Sequence, residues 1–151
     1  MLNIQRSITA AVFCCGLSGC ISPAIQTETV QLTAITSLDI NLNKADQASP
    51  IVIKVYALKN EDGFKDNNSF FQLYNASVPN ADNNDILAIR TLVLLPGKKN
   101  EFLMEVPVGT RFMGAIAAYH DLSNTTWLST ASAQSKLTLI VHQKNITFKG
   151  D

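Results

Sequence analysis

Side chains that can act as nucleophiles, bases or metal ligands are sparse in this 151-residue chain. Its two histidines, His120 and His142, do not stand near another histidine, a cysteine or a carboxylate at a spacing suited to a metal site. The stretch HDLS gathers His120, Asp121 and Ser123, but the members of a catalytic triad usually come from separate segments, and chain neighbours seldom form one. No GxSxG, HExxH, glycine-rich phosphate loop or calcium-loop pattern is present. Gly114 stands alone in MGAIAA, where it suits close packing of sheet on sheet or a bulge rather than a ligand cradle. The expectation is a protein with no catalytic residue, no metal site and no cofactor, and so not an enzyme.

Cysteine is the remaining reactive type, and all three copies fall in CCGLSGC, residues 14–20. Ahead of them Arg6 is the only charge, and residues 8–17 (ITAAVFCCGL) form an uncharged apolar run that ends in small residues. A spanning helix needs about 20 apolar residues, so this run fits a secretory signal better than a membrane span. LSGC, residues 17–20, resembles the bacterial lipoprotein signal: a branched apolar residue, two small residues that fit a peptidase cleft, then a cysteine that becomes the mature N-terminus. On that reading residues 1–19 are a signal peptide and Cys14 and Cys15 leave with it. Cys20 is then the lipidation site, with diacylglycerol on its sulfur and a third chain on its amine. Each buried methylene contributes about 0.8 kcal/mol, so three chains anchor firmly where one is marginal. The alternatives are an export signal that merely contains cysteines and a cytosolic protein with an apolar tail.

Removing 19 of 151 residues leaves 132, and because Arg6 is the one charge lost, eleven Lys and Arg face twelve Asp and Glu. So neutral a body carries no basic mark of nucleic-acid or anionic-lipid binding. With Cys20 acylated it has neither a free thiol nor a disulfide, so stability rests on an apolar core. One domain is expected, residues 29–151, on a tether of residues 20–28. ISPAIQTE, residues 21–28, reaches at most about 26–29 Å, which keeps the domain near the bilayer. Ile21, directly after the cysteine, resembles the outer-membrane class of bacterial lipoproteins, since those kept on the inner membrane usually carry Asp there. The expected location is the outer membrane, facing the periplasm.

The body reads as strands. Val30, Leu32, Ala34, Leu38 and Ile40 alternate with polar residues, broken only at Ile35 and Thr36, a period of two expected of a half-buried strand. Pro50 opens IVIKVYAL, residues 51–58, a second strand buried on at least one face. Residues 90–95, 101–106, 111–119, 136–142 and 145–149 follow as further strands, punctuated by Pro96 with Gly97, Pro107 with Gly109, Asn124, and Gln143 with Lys144. Short strands so spaced predict a mainly β fold, a two-sheet antiparallel β-sandwich. Residues 59–89 break the pattern and predict a short helical insert between the second and third strands. In it Asn67, Asn68 or Ser69 caps a helix whose Phe70, Leu73 and Tyr74 share one side, and a second helical turn follows Asp85. Phe70, Phe71 and Tyr74 either dock the insert on the sheet or grip a partner, and docking is the favoured reading.

Recognition, in the absence of catalysis, falls to the loops. Residues 41–49 (NLNKADQAS) connect the first two strands with more residues than an ordinary hairpin needs, and long loops on a rigid sandwich are where binding tends to sit. Lys44 and Asp46 offer charge, and Asn41, Asn43, Gln47 and Ser49 offer hydrogen bonds, with Leu42, Ala45 and Ala48 between them. A solvated connector is the plain alternative. A rival function, binding of a small ligand or sugar, would need an aromatic-lined cleft built from Tyr56, Tyr119 or Trp127.

Beyond single motifs, LSGC, TSLDIN at 36–41, SPIVIKVYALKN at 49–60, FFQLYN at 70–75, LLPG at 94–97 and GTRFMGAIAAYHDLSNTTW at 109–127 resemble, in the same order, the TssJ family of outer-membrane lipoproteins of the bacterial type VI secretion system. The resemblance covers nearly the whole mature chain. It implies a transthyretin-like two-sheet β-sandwich with a helical addition and no cofactor beyond the lipid on Cys20. The partner it implies is the periplasmic C-terminal region of the inner-membrane protein TssM, held through the loop between the first two strands, here residues 41–49. No nucleic acid and no small-molecule substrate are expected. Leu128 after Trp127 and His120 depart from the basic residues frequent at those places in the family.

Overall fold

Ile51, Ile53, Val55 and Ala57 are buried on one face of β2 (Ile51–Leu58), and Tyr56 and Leu58 are buried on the other. A strand apolar on both faces must be covered twice, and the fold of this computed structural model, described over residues 24–67, 69–78 and 84–150, follows from that. β2 is central in a sheet ordered β3 (Ile86–Leu94), β2, β5 (Phe112–Ala117), β6 (Leu128–Ser132). The second sheet is ordered β4 (Lys99–Pro107), β1 (Thr27–Thr36), β7 (Lys136–Val141), β8 (Ile146–Gly150). The sheets bury between them Val30, Leu32, Ala34, Val55, Leu92, Met104, Met113, Leu137 and Leu139 among others. The protein is a mainly β two-sheet sandwich, as its alternating pattern predicts.

The outer face of β2 is covered by two short helices, α1 (Asp62–Lys65) and α2 (Phe70–Tyr74). Ser69 is the residue that caps α2, its hydroxyl accepting the Gln72 N–H at 3.3 Å. Phe64, Phe70 and Leu73 pack with Tyr56, Leu58, Ile86 and Ile116 into a second core, and the Tyr56 hydroxyl donates to the Leu73 carbonyl at 2.7 Å. Phe71 points to solvent, 67% exposed. Gly114 lies opposite Tyr56 in the ladder, and a Cβ there would stand 2.7 Å from a Phe64 ring carbon, so the close packing it permits is helix on sheet.

Four details differ from the sequence reading. β1 stops at Thr36, whose hydroxyl donates to the Leu95 carbonyl at 2.6 Å and accepts the Lys98 N–H at 2.9 Å. Leu38 then turns outward while Ile40 remains buried. No helical turn follows Asp85. Instead Ile86 begins β3 opposite Leu58, because pairing with β2 satisfies its backbone and buries its side chain. β6, a half-buried edge strand of mostly small residues (LSTAS), has no apolar period to announce it. The pair β1 and β7 is parallel; every other neighbouring pair is antiparallel. Among the described residues no helix is long and apolar enough to cross a membrane.

Candidate docking surface

The strand directions sort the connections into two groups. β1, β3, β5 and β7 end where β2, β4, β6 and β8 begin. One end of the sandwich, the distal end, therefore carries residues 37–50, 95–98, 118–127 and 142–145. The opposite end carries the start of β1 at Thr27, the turn of residues 108–111, residues 133–135, and the points where the insert leaves β2 at Leu58 and enters β3 at Ile86. The ten residues of β1 put roughly 33 Å between the two ends, at about 3.3 Å per residue.

At the distal end Asn41 is the hub. It is buried, with φ of 49°, a left-handed conformation that Asn tolerates better than most residues. Its Nδ2 donates to the Pro50 carbonyl at 2.8 Å and its Oδ1 accepts the His120 N–H at 2.8 Å. The Ser49 hydroxyl donates to the Asn41 carbonyl at 2.5 Å and lies 3.1 Å from His120 Nε2. Because that hydroxyl has one proton, the imidazole Nε2 must supply the other as donor. Asn43 organises the tip: its Oδ1 accepts the N–H groups of Ala45 at 2.8 Å and Gln47 at 3.1 Å, an Asx turn. Residues 41–49 are thus folded on themselves, with Lys44, Ala45, Asp46, Gln47 and Ala48 exposed.

The other distal loops are tied to this one and to each other. The Tyr119 hydroxyl donates to the His142 carbonyl at 2.9 Å, and burial pushes its pKa up. Thr126 N–H donates to the Lys144 carbonyl at 2.8 Å, and Ile146 N–H to the Thr126 carbonyl at 3.0 Å. Asp121 accepts the Ser123 hydroxyl at 2.6 Å, the Ser123 N–H at 3.0 Å and Asn124 Nδ2 at 2.9 Å, and these bonds lower its carboxyl pKa to about 2. Between the loops lies a cleft of about 390 Å³, lined by Asn41, Asp46, His120, Asp121, Asn124 and Lys144 among others.

This arrangement is suited to holding a surface. Asp121 spends its lone pairs on its own turn, and His120 faces Ser49 from another loop, so HDLS forms no relay. Among the described residues no group of three or more His, Cys, Asp and Glu is placed to hold a metal ion. Of the aromatic residues that a ligand cleft would need, Tyr56 is buried under α2 and Trp127 packs edge-on against Phe70 with ring centres 5.4 Å apart. Only Tyr119 reaches the distal cleft, and its hydroxyl is already bonded.

Sequence reasoning missed two apolar members of this end. Leu38, 81% exposed, lies over Gly97, and Leu95, two residues before that glycine, is 51% exposed. Leu38 sits on the apolar parity of β1, so only the end of the strand at Thr36 reveals that it faces outward. Cys20 and the rest of residues 1–23, the expected lipid site and first part of the tether, lie outside the described residues.

Residues 28–148 match the model of a family described as type VI secretion lipoprotein, with the member names VasD, EvfM and TssJ. None of the curated proteins matches the sequence. Among solved structures, Lip from Serratia marcescens, described as a membrane-bound component of the type VI secretion system, aligns with a TM-score of 0.72 at 19% identity, over 83% of this chain and 99% of that one. The type VI lipoprotein TssJ1 from Pseudomonas aeruginosa aligns with a TM-score of 0.71 at 22% identity, over 83% and 98%. A chain of a structure described as the TssM C-terminal domain from EAEC aligns with a TM-score of 0.68 at 20% identity, over 82% and 98%.

Proposed function

The chain belongs to the TssJ family of type VI secretion lipoproteins, and from that premise we propose that it links two membranes. Fatty chains on Cys20 hold one end of the sandwich on the inner leaflet of the outer membrane. The distal loops, residues 41–49 foremost, bind the periplasmic C-terminal region of the inner-membrane protein TssM. The observation that carries this reading is the opposition of the two ends: the chain enters β1 at Thr27, and the loop cluster lies a full strand length away. A solved structure of similar fold bears the TssM name, which supports the choice of partner.

Affinity need not be high for such a link. Many anchored copies in one plane raise the effective concentration at each docking site, so modest pairwise binding sums to a stable assembly. The distal end suits the task because its loops are bonded to one another before any partner arrives, which lowers the ordering cost of association.

The test is a titration of the soluble body, residues 21–151, against the purified periplasmic region of the inner-membrane partner. Replacing residues 43–48 by a two-residue turn removes the exposed tip and leaves Asn41 and Ser49 in place. Loss of binding at an unchanged melting temperature supports the reading, and an unchanged dissociation constant places the interface elsewhere.

A further inference from the structure

The end of the sandwich opposite the docking loops carries its own exposed apolar tip. Ile25, two residues before β1, is 79% exposed, and Val108, the first residue after β4, is 53% exposed. The two lie at the same end of the sandwich, where Val108 N–H donates to the carbonyl of Gln26, the residue after Ile25, at 2.9 Å. The turn that bears Val108 is held firmly: the hydroxyl and the N–H of Thr110 both bond the Pro107 carbonyl, at 2.7 and 3.1 Å, and Gly109 supplies the φ of 98° that the reversal needs. Its valine is therefore presented outward by a fixed backbone.

Chain length says what covers this tip. Ile25 stands five positions after Cys20, a reach of at most about 17–18 Å. With acyl chains of Cys20 in the hydrocarbon, the tip is confined to a thin shell over the headgroups, which are themselves roughly 5–7 Å deep on each side of the core. Confinement makes the local concentration of lipid surface very high, so partition of even two branched side chains is realised although it would be negligible for a free protein. The side chain of Glu28 begins one turn of the pleat further from the tip, where it can stay in water.

We propose that Ile25 and Val108 enter the boundary between headgroups and acyl chains as a second, non-covalent contact with the outer membrane, and that this contact sets the long axis of the sandwich upright. The proposal rests on the reading of Cys20 as the acylated residue. Its consequence is directional. A domain held by its lipid alone can lie on its side, whereas a domain held at both the lipid and the tip points its distal loops into the periplasm.

The mature acylated protein has no other thiol once Cys20 is modified, so single labels are unambiguous. The variants Ile25→Cys, Val108→Cys and, at the distal end, Thr125→Cys carry an environment-sensitive fluorophore and are reconstituted into vesicles of phosphatidylethanolamine and phosphatidylglycerol. Expected is a blue-shifted, several-fold brighter emission at 25 and 108, quenched by nitroxide-bearing lipids, with no change at 125. Ile25 lies outside every strand, so its label reports even if the Val108 variant folds poorly. Emission at 25 indistinguishable from that at 125 in protein that still floats with the vesicles overturns the contact while leaving the anchor standing. Failure of the unlabelled protein to float overturns the anchor, and the contact with it.

Discussion

Asn41 and His120, 79 positions apart in the chain, are joined at 2.8 Å through the Asn41 Oδ1 and the His120 backbone N–H. With the second bond from Asn41 Nδ2 to Pro50, one buried side chain fixes the entry of the 41–49 loop, its exit and the neighbouring β5–β6 connection. Asn41→Ala removes both bonds and places Ala at positive φ. The expected loss is about 2–4 kcal/mol, from an unsatisfied buried donor and the left-handed backbone together. Asn41→Gly relieves only the backbone part and should fall between the two. Urea unfolding of the three proteins checks the order, and an Ala variant as stable as the parent refutes the hub role.

Gly114 is the site where the insert meets the sheet. An added Cβ would lie 2.7 and 2.8 Å from two Phe64 ring carbons and 3.0 Å from Leu58 Cδ1. Phe64 is buried and packs at a tilt against Tyr56 with ring centres 4.9 Å apart, so it cannot swing aside freely. Gly114→Ala should therefore cost about 1–3 kcal/mol by overpacking. A second change, Phe64→Leu, should recover part of that cost. Thermal melts of the single and double variants decide it.

How far the sequence reached can be judged from such positions. IVIKVYAL is legible to the residue because both periods, toward the sandwich and toward the insert, are written in large apolar side chains. The insert is half legible: Ser69 and the Phe70, Leu73 spacing announce α2, whereas Ile86, Leu87 and Ile89 suit a helical face and a strand alike until β2 lies beside them. The distal end was legible as a long polar loop but not as a surface. The bonds from Asn41 to His120 and from Tyr119 to His142 join segments far apart in sequence. No local pattern encodes which loops the strand directions will bring to the same end.

Asp121 makes a prediction about pH. Its carboxyl accepts bonds from Ser123 and Asn124, which hold its pKa at about 2 against a usual 3.8. A group depressed in the folded state adds stability above its unfolded value and loses it as pH falls through the folded one. The ordering of residues 121–124 should thus be constant at neutral pH and decline only from about 3.8 down to about 2. Carbon-detected NMR titration of the Asp121 carboxyl, read beside the Ser123 amide shift, checks this. A midpoint near 3.8, or an amide that does not follow the carboxyl, would remove the turn's hydrogen bonds from the account.

Leu38 and Leu95 test what supplies affinity at the docking end. The 41–49 tip is polar, and polar rims contribute mainly register, while a few apolar or aromatic anchors carry most of the energy of an interface. Leu38 is held in place over Gly97, whose φ of 65° and lack of a side chain leave room for it. Both leucines are too exposed to matter much to folding, since surface changes usually stay within about 0.5 kcal/mol. Leu38→Asp and Leu95→Asp should each weaken capture of the periplasmic partner at least tenfold, about 1.4 kcal/mol, at an unchanged melting temperature. Leu103→Asp, at a leucine on the edge strand β4 whose exposure lies between those two, should leave binding as it was. If all three variants bind like the parent, the leucines lie outside the interface and the polar loop must hold the partner alone.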